Sequence, residues 1–181
     1  MIGYSQQAGQ VAALPTLLPW TAKRTAPGHL VVRLGQDRAI WMDWDEQRLR
    51  PAGSSGGPGF SNGDYDLPLA QTHGWLMVPG RQARSLFARL SDVDLRPETF
   101  RNFAVAEAEV AGAPSFIIRE DLGLMPAFHW LVERSLGLSA LNRALLHGER
   151  LGGALIGLDV LRIYENAARK RQQPARVTGR R

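Results

Sequence analysis

Residues 51–68 read PAGSSGGPGFSNGDYDLP, a stretch crowded with glycine and proline and poor in apolar residues. Such a run sustains neither a helix nor a central strand, so the ordered pattern must come from the two zones that it separates. It reads as a long loop, of the kind that carries function or reaches a partner. In the first zone, Pro15, Pro19 and Pro27 exclude a continuous helix, and residues 1–28 are expected to form an extended N-terminal arm. HLVVRL (residues 29–34) and AIWMDW (residues 39–44), separated by Gly-Gln-Asp-Arg, have the pattern of a hairpin.

The second zone holds most of the periodicity. A strand is expected over residues 74–78, running into Pro79-Gly80. In RQARSLFARL the positions Ala83, Leu86, Phe87 and Leu90 repeat at helical spacing and leave Arg81, Arg84 and Arg89 to solvent. Residues 102–110, 115–119 and 127–132 are rich in Phe, Val, Ile and Trp and are broken by turn formers, which predicts three strands. A second helix is expected with Ser139 as its cap and Leu138, Leu141, Leu145 and Leu146 inward, ending at Gly148 or Gly152-Gly153. A short last helix should hold Leu158, Leu161 and Ile163. This order predicts an α+β fold, a mixed sheet with helices packed on one face, in a single domain over residues 29–168 followed by a basic tail over residues 169–181.

The chain of 181 residues is long enough to bury a self-sufficient core. It contains no cysteine, which excludes thiol catalysis, iron–sulfur ligation and a disulfide framework. No apolar run is long enough for a membrane span and the N-terminus lacks a secretory pattern, so a cytoplasmic protein without membrane contact is expected. The net charge of +5 is unevenly placed. Six basic residues, Arg169, Lys170, Arg171, Arg176, Arg180 and Arg181, lie in an acid-free tail, and the rest of the chain is close to neutral. The tail therefore reads as a solvated or subunit-docking extension, and a nucleic-acid partner is disfavoured.

Little in the sequence assembles into a catalytic site. Gly53-Ser54-Ser55-Gly56-Gly57 matches G-x-S-x-G, but turn formers follow it where a nucleophile elbow needs a helix. No phosphate-binding glycine pattern is present. His29, His73, His129 and His147 have no metal-ligand spacing, so no metal site is expected. His129, between Phe128 and Trp130, should face opposite to them as a hydrogen-bonded structural histidine. Asp43, Asp45 and Glu46 interleave with Trp41 and Trp44, and burying either face of that strand would strand carboxylates. A partly exposed rim or a subunit contact is the reading for this hairpin. The candidate partner-docking residues are therefore Trp41, Trp44, Arg169, Lys170 and Arg171, with no catalytic residue assigned.

Five segments in order resemble a known family. Residues 80–90 followed by Asp92-Val93-Asp94-Leu95-Arg96-Pro97 and Phe100 are similar to the "G-x-x-A-x-x-L-L-x-x-L … D-L-x-P-x-x-F" run of the aminomethyltransferase-like, folate-binding fold. The strand, glycine turn and strand over residues 105–114, Phe128-His129-Trp130-Leu131-Val132, the leucines of residues 138–146, and the closing GGALIGLDVLR of residues 152–162 follow in the same order. Within that fold, the short length, the proline-rich start and Asp94-Leu95-Arg96-Pro97 most resemble the small gamma-subunit family of heterotetrameric sarcosine oxidase and N-methyl amino acid dehydrogenases. The acidic motif through which the full-length transferases contact one-carbon folate has no counterpart before Gly74.

The resemblance implies a non-catalytic gamma-type subunit of a complex that oxidatively demethylates sarcosine or a similar N-methylated amino acid. It also implies that this chain binds no cofactor of its own, and that larger flavoprotein and folate-binding subunits carry FAD, FMN, NAD and tetrahydrofolate. The alternatives are a stand-alone folate-dependent aminomethyltransferase-like protein and a basic nucleic-acid-binding or assembly adaptor.

Overall fold

The β-branched and aromatic runs on both sides of the glycine-rich segment become strands, and the short turns between them dictate how those strands pair. The computed structural model describes residues 2–6, 17–26, 29–35, 38–43, 66–68, 72–157, 159–161, 163–164 and 167. In chain order the strands are β1 (Ile2–Gln6), β2 (Thr21–Ala26), β3 (His29–Leu34), β4 (Arg38–Asp43), β5 (Asp66–Pro68), β6 (His73–Pro79), β7 (Val105–Val110), β8 (Ala113–Arg119) and β9 (Ala127–Glu133). Helix α1 (Ala83–Phe87) follows β6, and α2 (Gly137–Glu149) follows β9 after a 3-10 turn.

The strands form two sheets and not the single mixed sheet that the element order suggested. The first has the order β2-β3-β4-β1-β5 and the second β6-β9-β8-β7. Every strand pair among the described residues is antiparallel. The reason lies in the connections. After α1 the chain reaches β7 at the far edge of the second sheet, then returns through short turns, so each new strand lies beside its immediate predecessor and runs opposite to it. The β7–β8 link is a two-residue turn at Ala111 and Gly112, both with positive φ (55° and 79°), the conformation that matches the twist of a hairpin.

Residues 2–6 and 21–26, within the segment expected as an extended arm, are members of the first sheet. β1 inserts between β4 and β5, and β2 forms an edge. The prolines that forbid a helix there flank β2 and do not interrupt it. Likewise the glycine-rich segment ends in β5, which pairs Leu67 with Tyr4.

The second sheet is the middle layer. One face packs on the first sheet through Ala22, Leu30, Val32, Ile40 and Met42 against Phe116, Ile118 and Leu131. The other packs on the helices, with Ala83, Phe87, Ala140 and Ala144 against Ile117, Phe128, Trp130 and Val132. Strand β9 is thus buried along six of its seven residues. The aromatic rings interlock: Phe87 lies 5.4 Å from Phe128 and 5.9 Å from Trp130 between ring centres. The Trp130 indole N–H donates to Ser115 Oγ at 2.9 Å, so this buried tryptophan leaves no donor unmatched.

The two sheets are also hydrogen-bonded where β2 begins beside β7. Ala22 N donates to Phe103 O at 2.7 Å and Val105 N to Trp20 O at 3.0 Å. Both residues whose carbonyls accept in this seam, Trp20 (φ 58°) and Phe103 (φ 66°), are held in the left-handed region, which bulky residues rarely adopt.

The motif Asp94-Leu95-Arg96-Pro97 has a structural role. Asp94 Oδ1 accepts from the Arg96 backbone N at 3.1 Å and from its Nε at 2.9 Å, while Oδ2 accepts from Thr99 Oγ1 at 3.1 Å. The turn so fixed directs Leu95 and Phe100 into the helix-side core. These hydrogen bonds from Arg96 hold the Asp94 carboxyl well below the usual carboxylate range.

Burial along the helices sets a testable order. Phe87→Ala should cost about 3–5 kcal/mol, because it empties the centre of the helix-side core. Leu138→Ala, on an exposed side chain, should stay within about 0.5 kcal/mol. Urea unfolding of the two variants checks this, and the reverse order would contradict the helix placement.

Candidate functional site

Two features draw attention: a buried polar chain between the sheets and an apolar groove beside the helices. The polar chain begins with His129 on β9. Strand alternation turns it away from Phe128 and Trp130, as expected from the sequence, toward the first sheet. The Trp75 indole N–H, which can only donate, reaches His129 Nδ1 at 3.1 Å. Nδ1 is therefore the acceptor and the ring proton sits on Nε2, 2.8 Å from Glu120 Oε2. Arg24 of β2 donates from Nε to Glu120 Oε1 at 2.6 Å. Beside this chain, Arg119 makes a two-point contact with Asp121 (Nε to Oδ1 2.9 Å, Nη2 to Oδ2 2.7 Å) and donates to Phe100 O at 2.6 Å.

Burial pushes the Glu120 carboxyl up, but the hydrogen bonds from His129 and Arg24, with the charge of Arg24, outweigh it and hold the group below its ordinary range. A histidine paired with a carboxylate could move a proton. Here the His129 side chain is fully buried, and neither it nor Glu120 lines either surface depression described below. The arrangement ties β2, β6, β9 and the end of β8 together and acts as an internal clamp. Glu120 was missed in the sequence reading; its only signal is a lone Arg-Glu-Asp run ending a strongly apolar strand.

The helix layer departs most from expectation. Helix α2 starts at Gly137, and Leu136 precedes it in place of Ser139, with no side-chain cap. Its buried residues are Ala140 and Ala144. Leu141 and Leu145 lie at the edge of the contact, and Leu138 and Leu146 are 72% and 55% exposed. At 100° per residue the apolar positions from Ala140 round to Leu146 cover roughly 240° of the helix, while a core contact needs a stripe of only about 100°. The small residues face the sheet because they allow close approach, and the leucines are left over. This surplus was visible in the sequence, where four leucines in one short helix were all assigned inward.

The exposed apolar surface continues beyond α2. Of the eleven exposed large apolar side chains among the described residues, eight lie at position 136 or later, among them Leu155, Val160, Ile163 and Tyr164. Ile163, expected inward, is exposed; Leu161 is half-buried, and the side chain of Leu158 lies outside the described residues. Between these residues, α1, α2 and β6 runs a groove of about 550 Å³, lined by Leu76, Val78, Leu86, Leu141, Leu145 and Leu155 among others. Leu86, expected in the core, is half-buried because it forms this wall. A shallower depression on the outer side of α2 is lined by Leu138, Asn142, Arg143 and Leu146 with Ser135 and Ser139.

Of the expected docking residues, Trp41 lies on β4, in register with Gly3 and Val31. Trp44, Arg169, Lys170 and Arg171 lie outside the described residues, as do Asp45, Glu46 and the G-x-S-x-G run. His73 packs its ring 5.9 Å from Phe116, and burial lowers its pKa against the opposing charge of Glu133. No group of His, Asp and Glu suited to a metal ion occurs among the described residues. No helix among them is long and apolar enough to cross a membrane.

No family model matches the sequence, and no curated protein matches it. Among solved structures, the chain is similar to one in the heterotetrameric sarcosine oxidase from Corynebacterium sp. U-96 in complex with pyrrole 2-carboxylate. The TM-score is 0.64 at 15% identity, over 86% of this chain and 83% of that one. The likeness is one of fold.

The clamp carries a pH signature. Because the Glu120 pKa in the folded protein lies below its unfolded value, its stabilisation is complete above about 4.3 and is lost as pH falls through the folded-state value. Glu120→Gln should lose about 3 kcal/mol near neutral pH, since it leaves buried partners uncompensated. The variant should also show a shallower decline below pH 5. Parallel acid and urea titrations would disprove the clamp if the two proteins kept the same difference at every pH.

Proposed function

We propose that this chain is a non-catalytic, gamma-type subunit of a flavin-dependent complex that oxidatively demethylates sarcosine or a similar N-methylated amino acid. The observation that carries the reading is the apolar surface of the helix layer. Leu138, Leu146, Leu155 and Ile163 are held on a rigid three-layer body with their side chains in water, and exposed apolar patches of this kind mark interaction sites. Docking a partner there recovers about 25 cal/mol for each Å² of apolar surface removed from water.

The fold likeness supports the same assignment. It spans most of both chains, so the two are of similar length, and the similar chain belongs to a heterotetramer described as a sarcosine oxidase. The sequence resemblance to the gamma-subunit family, and through it to the aminomethyltransferase-like fold, points the same way. In this reading the larger subunits hold FAD, FMN, NAD and tetrahydrofolate and perform the chemistry in the cytoplasm. This chain buttresses them through its helix layer and basic tail.

A tagged chain expressed in its own host tests the proposal. It should co-elute with larger, yellow, flavin-bearing polypeptides that oxidise sarcosine, and the chain purified alone should be colourless. Stoichiometric flavin on the isolated chain, or methyl-group transfer to tetrahydrofolate by the chain alone, would overturn the subunit reading.

A further inference from the structure

Trp75, His129, Glu120 and Arg24 stand in a row between the sheets, each bonded to the next. The fully buried His129 ring accepts the Trp75 indole N–H at Nδ1, 3.1 Å away, and donates from Nε2 to Glu120 Oε2 at 2.8 Å. Glu120 Oε1 accepts from Arg24, the charged group that the described part of the first sheet brings to this layer. At the end of β8, Arg119 is matched by Asp121. From β6 the titratable neighbour is His73, its ring 5.9 Å from Phe116 and its backbone in register with Glu133 of β9. With the His129 ring neutral, the charges of Arg24 and Arg119 are balanced by those of Glu120 and Asp121.

A second proton, taken from solvent at Nδ1, changes this balance. Nδ1 becomes a donor and meets the Trp75 N–H, which can only donate. The cluster also gains one uncompensated positive charge away from water. One movement removes both costs: when the indole leaves, water reaches Nδ1 and accepts from it. Trp75 is placed to move, because it is half-buried at the margin of the inter-sheet core and sits on β6, an edge strand of its sheet. The other side of the ring is not. Glu120 is 3% exposed and its carboxyl is held below its ordinary range, so it stays ionised and its bond to Nε2 becomes charge-assisted. We infer that Trp75 is a proton-operated latch: a second proton on His129 expels the indole from between the sheets while Glu120 retains the ring, and the β6 side of the interface opens before the chain unfolds. On its opposite face β6 presents Leu76 and Val78 to the apolar groove, so latch and groove share one strand.

The test is an NMR titration of the full-length chain, labelled with nitrogen-15 and taken from about pH 8 to about pH 5. The imidazole nitrogen shifts of His129 report its tautomer and its second proton, and the Trp75 indole N–H, assigned through Trp75→Phe, reports the latch. At the start the ring proton should lie on Nε2. As Nδ1 fills, the Trp75 indole signal should move in step, and its exchange with solvent should accelerate about tenfold or more. Far-UV circular dichroism should not change over that step, and raising the pH should reverse it. His129→Gln, which takes no proton, should leave the Trp75 signal where it starts; His73→Gln should keep the movement.

An indole that stays in place until circular dichroism reports global unfolding overturns the inference, as does a ring proton found on Nδ1 at the start. So does a Trp75 movement that persists in His129→Gln or disappears in His73→Gln, since the responding group is then another one. Should His129→Gln fail to fold, the unaltered chain still decides the matter: His129 and Trp75 must change together, and separate transitions refute the latch.

Discussion

Strand β9 has no side that meets water. It is covered by the first sheet on one face and by the helices on the other, and most of the molecule is arranged to satisfy that condition. A strand so placed reads as a near-continuous apolar run, and the one polar side chain within it must find its partners inside the protein. His129 does so through Trp75 on one ring nitrogen and Glu120 on the other, and Glu120 in turn needs Arg24 from the opposite sheet. The requirement passes from one buried group to the next until it reaches Arg24, whose side chain is partly in solvent.

The strands of the second sheet were legible because their residues are unambiguous. A run such as FIIR or FHWLV has no helical alternative once glycine and proline bound it. The 29–43 hairpin was legible for the same reason. The pairing was not, because local pattern specifies that a segment is a strand and says little about its neighbour. That β1 joins β4 and β5 depends on contacts across more than thirty residues of chain. The outcome for His129 followed from alternation alone, whereas Glu120 could be assigned only after Arg24 and His129 were brought to it in space.

The helix layer shows a different limit. Hydrophobic periodicity ranks side chains by apolar character, and it placed the leucines of α2 inward. Packing against an already full sheet face, with Phe128, Trp130 and Val132 in position, favours the smallest residues at the closest approach. Ala140 and Ala144 take that place, and the leucines border a groove or face outward. An apolar arc too wide for one contact is a sign of two contacts, and that distinction separates a core helix from an interface helix.

The seam between β2 and β7 has a consequence for assembly. Strands β1–β5 form the first sheet and β6–β9 the second, so each sheet is built from strands consecutive in the chain. The halves are hydrogen-bonded backbone to backbone where Trp20 and Phe103 adopt left-handed conformations. Neither half alone has a reason to hold an aromatic residue there, since the compensating bonds come from the other half. The seam therefore fixes the register between the sheets, because a shift of one against the other would leave Trp20 and Phe103 in left-handed conformations without the hydrogen bonds that offset them.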